Sequence, residues 1–313
     1  MSAKKAGAAG SIAWLLLAGM VAYARHAPRF MRHWGFTLLL LLLWHGWRSR
    51  VKVAMEHLAI AFPNASEDVL KKTAYDSYMN LALFCAEFCQ MAHLTKENLD
   101  AAIRINGLDR LDAARARGKG VVLAWAHYDH FEMLNYALAL KGYPVYTLIR
   151  EVDNPLIDRM LNAMRKASGQ KIILREGASS QMIQRLREGK IVTIATDQNA
   201  MFNSVFARFF GKWAATIKSP AVVHLRTGAP ILPVYTVREK DGSHTAYILP
   251  EITAAKTGDI KKDVALITQE IAKVQEEFIS RRPEFWLWLH RRWKIQPDEK
   301  ERAFAEGVLG RSA

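Results

Sequence analysis

The sequence predicts an α/β fold: a largely parallel central sheet flanked by helices, preceded by an N-terminal hydrophobic, membrane-anchoring helical segment. Two observations predict it. From residue 107 onward, short apolar and β-branched runs alternate with helix-period segments, the pattern of right-handed crossovers between parallel strands. Ahead of them lie two apolar runs, 11–23 and 36–47, flanked by basic residues.

In chain order, 78–91 reads as an apolar helix and 108–117 as another. The run VVLAW over Val121–Trp125 is a strand, followed by a helix over 131–140 and a strand over Val145–Ile149. Asn154-Pro155 supplies an N-cap and a first-turn proline, and the helix they start runs to Ser168 and stops at Gly169. Lys171–Leu174 is a short strand, and Ala178–Arg187 is a helix closed by Gly189. A strand over 191–196 ends at Asp197-Gln198-Asn199, and further strands cover 230–237 and 245–249. Ile267, Ile271, Val274 and Phe278 step by 4, 3 and 4, which marks one face of a late helix.

With 313 residues, half of them apolar, the chain can bury a full core and is not disordered. Its net charge of +14 points to an anionic partner: lipid head groups, an acidic protein or nucleic acid. Cys85 and Cys89 lie four apart on an apolar run and read as core residues of a reducing compartment, not as a metal or redox pair.

Each N-terminal apolar run is shorter than the roughly 18–20 residues of a usual spanning helix. A two-helix hairpin would carry Arg25, Arg29 and Arg32 across the membrane, against the positive-inside tendency. The expectation is an embedded or interfacial anchor with the body on the cytoplasmic side; a single span over 34–47 is the alternative. Lys4-Lys5, the first apolar run and Ala22-Tyr23-Ala24 imitate a cleavable signal peptide, but the second run argues for retention.

The most informative short feature is His127-Tyr128-Asp129-His130-Phe131-Glu132, where a strand opens into a helix. On one continuous helix, residues five apart point about 140° away from each other. His127 and Glu132 can therefore meet only if His127 sits in the turn and Glu132 in the first helical turn. Such a pair can take a proton from an alcohol so that the alcohol attacks an ester or thioester. Ligands of parallel sheets bind beyond the carboxyl ends of the strands. His127 and Asp197-Gln198 both stand there and can share one cleft, where Asp197-Gln198-Asn199 would hold a sugar, orient a neighbouring side chain or merely cap a turn.

Other chemistries lack their motifs. Trp125 stands where a binuclear metallohydrolase motif needs histidine, and no Cys-x-x-Cys, no His-Glu-x-x-His, no glycine-rich phosphate loop after a strand and no Gly-x-Ser-x-Gly elbow is present. No metal and no cofactor are expected. Arg150 ends a strand, and Arg159 and Arg165 follow on the next helix. A guanidinium fork suits phosphate, although Arg165 reads better as part of a solvated face. Phe209-Phe210-Gly211 and Trp213 line an acyl groove or form a loop packed on the core. In 281–294, tryptophans interleave with arginines, which fits a head-group layer or single-stranded nucleic acid. The N-terminal runs favour the membrane over nucleic acid.

Taken together, these residues resemble the lipid A biosynthesis (lauroyl/myristoyl) acyltransferases of the lysophospholipid acyltransferase superfamily. The likeness covers about residues 48–297. It rests on His127-x4-Glu132, Arg150 with Asn154-Pro155 and Asp158, Asp197-Gln198, Phe209-Phe210-Gly211, the stretch Thr227-Gly228-Ala229-Pro230 to Pro233, and the block from Pro283 to Lys294. Arg175-Glu176-Gly177-Ala178-Ser179 is only superficially like the superfamily's Glu-Gly-Thr phosphate motif, and no role is carried over to it.

The resemblance implies an inner-membrane enzyme at the cytoplasmic face, with an N-terminal membrane anchor over 1–52 and an acyltransferase domain over 53–313. It would move a fatty acyl chain from acyl carrier protein to a hydroxyl of a lipid A precursor glycolipid, without nucleic acid. His127 and Glu132 would be catalytic, with Glu132 accepting a hydrogen bond from the imidazole; the role falls on His127 and not on the neighbouring His130. Arg150, Asn154, Arg159, Asp197 and Gln198 would bind substrate, Arg150 taking the acceptor phosphate or helping to stabilise the oxyanion. Two alternatives remain: an acyltransferase for another lipid (phospholipid, aminolipid or mannolipid) using acyl-coenzyme A, and a non-catalytic binding protein.

Overall fold

The computed structural model describes residues 8–310. Four helices come first: α1 (Ala8–His26), α2 (Arg29–Gly46), α3 (Arg48–Ala61) and α4 (Glu67–Phe88). The α/β body follows as α5 (Leu99–Ala102), β1 (Ile103–Asn106), α6 (Leu108–Ala116), β2 (Val121–Trp125), α7 (Met133–Leu140), β3 (Val145–Ile149), α8 (Pro155–Lys166), β4 (Lys171–Leu174), α9 (Ala178–Arg187) and β5 (Ile191–Ala195). A hairpin, β6 (Ser204–Phe209) and β7 (Lys212–Ile217), leads to α10 (Ser219–Thr227), β8 (Ile231–Arg238), β9 (His244–Ile248), α11 (Ile260–Arg281) and α12 (Glu299–Leu309).

Seven strands form one sheet in the order β1-β9-β8-β2-β5-β3-β4. Every pairing is parallel except β8 with β9, so the expected largely parallel sheet is present. All five residues of β2 are buried because successive side chains face opposite sides and both sides are covered. Val121, Leu123 and Trp125 join a core with α6 and α7, whereas Val122 and Ala124 join one with α9, α10 and α11. The late helix is α11, and it buries Ile267, Ile271 and Phe278 as the stepping pattern requires.

The hairpin is the main element the sequence left open. Phe210 and Gly211 both have positive φ (49° and 73°), the backbone of a two-residue primed turn. Phe209 and Trp213 on either side are buried, so this segment packs on the core.

The two N-terminal apolar runs form α1 and α2, and no helix among the described residues is long and apolar enough to cross a membrane. This answers the alternative of a single span over 34–47 and leaves the expected anchor without a spanning segment. Val21, Ala24, Phe36 and Leu40 instead share a core with Tyr78 and Ala82 of α4 and Met164 of α8. Lys4 and Lys5 lie outside the described residues. Cys85 and Cys89 are free thiols within this core or against it, and burial pushes them up to about 12 and about 11, which keeps them protonated.

Candidate active site

Strand register builds the site. Trp125 and Ala195, the last residues of β2 and β5, are direct partners, so residues two further along each chain emerge side by side. These are His127 and Asp197. The imidazole Nδ1 lies 2.9 Å from Asp197 Oδ1, and the His127 backbone N–H donates to Oδ2 at 2.8 Å. The Trp286 indole N–H donates to the same Oδ2 at 2.8 Å. Gln198 places its amide nitrogen 3.2 Å from the imidazole Nε2.

Asp197 is 1% exposed, yet its carboxyl is held down to about 2. Burial alone would raise it; the His127 charge, two hydrogen bonds from His127 and the Trp286 bond together outweigh that penalty. An ionised Asp197 fixes the tautomer. In the base form of the ring, Nδ1 carries the proton and donates, which puts the lone pair on Nε2, beside the Gln198 amide. The ring packs at a tilt on a stacked pair: Trp125 and Phe131 have centroids 5.1 Å apart, and His127 lies 5.0 Å from the first and 4.8 Å from the second, inclined by 52° and 57°.

The hydrogen bond expected between Glu132 and His127 is replaced by another. Glu132 Oε1 accepts from Arg165 Nε at 2.9 Å and from Arg165 Nη2 at 2.7 Å. Glu132 is at the N-cap of α7 and faces α8, while the register gives His127 a closer carboxylate. Arg165, read from the sequence as solvated, is a half-buried tether between α8 and the buried Glu132. Tight placement of the turn also comes from Asp129, whose φ is 46° and whose backbone N–H donates to the Phe285 carbonyl at 2.8 Å. The Arg238 backbone N–H donates to the Asp129 carboxylate.

His130 is fully buried, and among the described residues neither ring nitrogen has a hydrogen-bond partner. Burial, followed by the His244 charge, pushes it down to about 3, so it stays neutral and out of reach of substrate. The base role that the resemblance placed on His127 is open to that residue on accessibility as well.

The other expected binding residues scatter. Arg150 is exposed just past β3, and β5 stands between β3 and β2, two strand spacings or about 10 Å from the strand that carries His127. Asn154 uses its side-chain oxygen to cap α8, accepting from Leu156 N at 3.0 Å. Arg159 is exposed, and its Nε donates to the Pro155 carbonyl at 3.3 Å. Asp197 and Gln198 are the two that the structure brings to the imidazole.

The C-terminal block corrects a second expectation. Its tryptophans do not face a head-group layer: Trp286, Trp288 and Trp293 are buried, and Arg292 is fully enclosed. Arg292 Nη1 donates to the Ala215 carbonyl at 2.8 Å and to the Gln198 carbonyl at 3.4 Å, and Nη2 donates to Thr216 Oγ1 at 2.6 Å. His290 Nε2 accepts from the Asn199 N–H at 2.9 Å, and burial lowers this histidine to about 4. Leu287 N–H donates to the His127 carbonyl at 3.1 Å. The block is a clamp on both loops of the site, which the sequence could signal only as an unusual density of aromatic and basic residues.

Trp286→Phe tests the clamp. It removes one donor from a buried carboxylate, a loss of about 1.5–3 kcal/mol. Chemical unfolding should show that loss together with a fall in kcat; unchanged stability would mean that Asp197 finds water or another donor there.

Two concavities lie away from the dyad. A groove of about 890 Å³ is lined by Arg175, Arg187 and Arg226, and a cleft of about 330 Å³ lies beside Arg32, Glu87 and His244. Neither is lined by His127, whose pairing with an ionised carboxylate makes it the centre with chemistry.

Comparison with known proteins identifies the family. The model of the bacterial lipid A biosynthesis acyltransferase family matches residues 5–295. The chain is 27% identical over 253 residues to the lipid A biosynthesis palmitoleoyltransferase of Escherichia coli (strain K12), covering 80% of each chain. It is 25% identical over 256 residues to the lipid A biosynthesis lauroyltransferase of the same organism, covering 80% of this chain and 81% of that one. A phosphatidylinositol mannoside acyltransferase of Mycobacterium tuberculosis (strain CDC 1551 / Oshkosh) is 29% identical over 206 residues, 64% of this chain and 62% of its own. The chain therefore belongs to the bacterial lipid A biosynthesis acyltransferase family and is an O-acyltransferase.

Proposed function

We propose that the protein transfers a fatty acyl group from acyl carrier protein to a hydroxyl of a lipid A precursor at the cytoplasmic face of the inner membrane, with His127 as general base. The observation that carries this reading is the 2.9 Å contact of His127 Nδ1 with an ionised, buried Asp197, which leaves Nε2 as the nitrogen that can take a proton once an alcohol displaces the Gln198 amide. Nε2 takes the hydroxyl proton as the oxygen attacks the thioester carbonyl. The same proton then passes to the departing thiolate. Glu132 acts through Arg165, by fixing α8 to α7 behind the reacting ring. Arg150 serves the acceptor phosphate, for which its exposed fork is suited.

A net charge of +14 favours an acidic carrier and a phosphorylated glycolipid. Membrane contact is assigned to α2. Phe30, Trp34, Leu38 and Leu42 recur every four residues and are all exposed, at 73, 70, 43 and 64%. Leu15 and Leu16 of α1 are also exposed. Such a face suits the interfacial layer of a bilayer, with no need to cross it. Replacing Phe30 and Trp34 by serine should release the protein from anionic vesicles in a flotation assay while detergent-phase activity persists; retention on the vesicles would remove α2 from this role.

The relative that acts on a phosphatidylinositol mannoside supports a mannolipid acceptor as the second reading. A panel of donors and acceptors separates the two. Acyl carrier protein and coenzyme A thioesters are each offered with a lipid A precursor and with a mannolipid, and products are weighed by mass spectrometry. Transfer from acyl carrier protein to the lipid A precursor is the expected result. Transfer only from coenzyme A, or only to the mannolipid, would replace this proposal.

A further inference from the structure

We infer that Gln198 is a catalytic residue: its side-chain amide holds the base nitrogen of the free enzyme and becomes the hydrogen-bond donor to the oxyanion during transfer. The inference rests on the reading of His127 as base.

The orientation of the amide follows from its neighbours. In the base form of the ring that the mechanism requires, His127 Nδ1 donates to the ionised Asp197 and Nε2 accepts. The Gln198 group 3.2 Å from Nε2 must then be the NH2, donating. The backbone around Gln198 is held from the C-terminal block, whereas its side chain bonds to the imidazole. Arg292 grips the Gln198 carbonyl, and the neighbouring Asn199 N–H is held by His290. The amide carbonyl oxygen makes no hydrogen bond among the described residues, so only the bond to Nε2 holds the end of the side chain.

An acceptor hydroxyl that gives its proton to Nε2 must take the place the amide now occupies. It thereby releases an N–H at the point where the tetrahedral centre forms. The hydroxyl proton moves to Nε2, the oxygen forms its bond to the thioester carbon, and the carbonyl electron pair moves onto the carbonyl oxygen. That oxygen is two bonds from the nucleophile and within reach of the freed amide. When the carbonyl reforms, the C–S bond breaks, and the departing thiolate takes the proton that the hydroxyl gave to Nε2. The amide donates throughout and exchanges no proton. A neutral donor placed where negative charge develops lowers the barrier without binding the uncharged thioester more tightly. Arg150, the sequence-based candidate for this charge, stands about two strand spacings from β2 and is better placed for the acceptor phosphate.

The test uses Gln198→Met, which keeps the side-chain length and removes the donor. Single-turnover transfer should slow about 10²- to 10³-fold, with the dissociation constants of donor and acceptor unchanged. A trifluoromethyl ketone analogue of the acyl thioester binds as its hydrate, with water added in place of the acceptor hydroxyl and its proton given to His127, and affinity for it should fall in parallel with the rate. Thermal unfolding should match the parent protein. A variant with near-parent turnover, or one that loses substrate affinity and analogue affinity equally, would overturn the inference. Loss of activity in His127→Ala alongside a normal Gln198→Met would sink this inference alone; a normal His127→Ala would sink the reading beneath it.

Discussion

Replacing His127 by alanine is expected to lower kcat about 10²- to 10⁴-fold, the range that a positioned general base contributes. KM for donor and acceptor should change little, because the imidazole acts on a proton and does not grip either lipid. The variant also leaves Asp197 buried with Trp286 as its remaining side-chain donor. Some loss of stability should therefore accompany the loss of rate, and unfolding measured on the same sample separates the two. Adding imidazole to the variant offers a further check, since recovered turnover would locate the missing function in the ring. Near-parent kcat in a folded variant would exclude His127 as the base.

Asp197→Asn should be comparably severe, and for a different reason. Three donors converge on this carboxylate: the His127 ring, the His127 backbone and the Trp286 indole. An asparagine amide can accept at only one end. Turned toward His127, its NH2 forces Nδ1 to accept and puts the proton on Nε2, which is the wrong tautomer for a base. Glu132→Gln should do less, since its partner Arg165 can still donate to the remaining carbonyl oxygen and His127 keeps Asp197. The order of damage therefore distinguishes the two carboxylates.

Asp197 also sets a pH dependence. Its folded value, about 2, lies below the ordinary 3.8. The stability it contributes is thus present above about pH 3.8 and is lost as the pH falls through 2. Unfolding titrations from pH 5 to 2 should show a shallower acid slope in Asp197→Asn than in the parent. Equal slopes would mean that Asp197 is not ionised against His127.

The strands and helices were legible because their signals are local: VVLAW between turn residues, Asn154-Pro155 opening α8, and the four-three-four steps along α11. Placing His127 and Asp197 at strand carboxyl ends followed from the same pattern, but their contact depends on β2–β5 register, which no local signal carries. Glu132 was assigned to the wrong partner because five residues of sequence proximity say less than the direction a helix N-terminus faces. Arg165 lies 33 residues from Glu132 and Trp286 lies 89 from Asp197, and only tertiary packing tells such residues from solvated or membrane-facing ones. The β6–β7 turn was hidden because Phe210 adopts a positive φ where asparagine or glycine is the usual signal.

The most direct measurement is acyl transfer followed by mass spectrometry, with labelled acyl carrier protein donors and a lipid A precursor in detergent. Parent protein, His127→Ala, Asp197→Asn and Glu132→Gln are compared side by side. The account predicts a product heavier by one acyl chain from the parent, almost none from the His127 and Asp197 variants, and an intermediate amount from the Glu132 variant. Product from Asp197→Asn at the parent rate, with Glu132→Gln inactive, would contradict it and return the second catalytic role to Glu132.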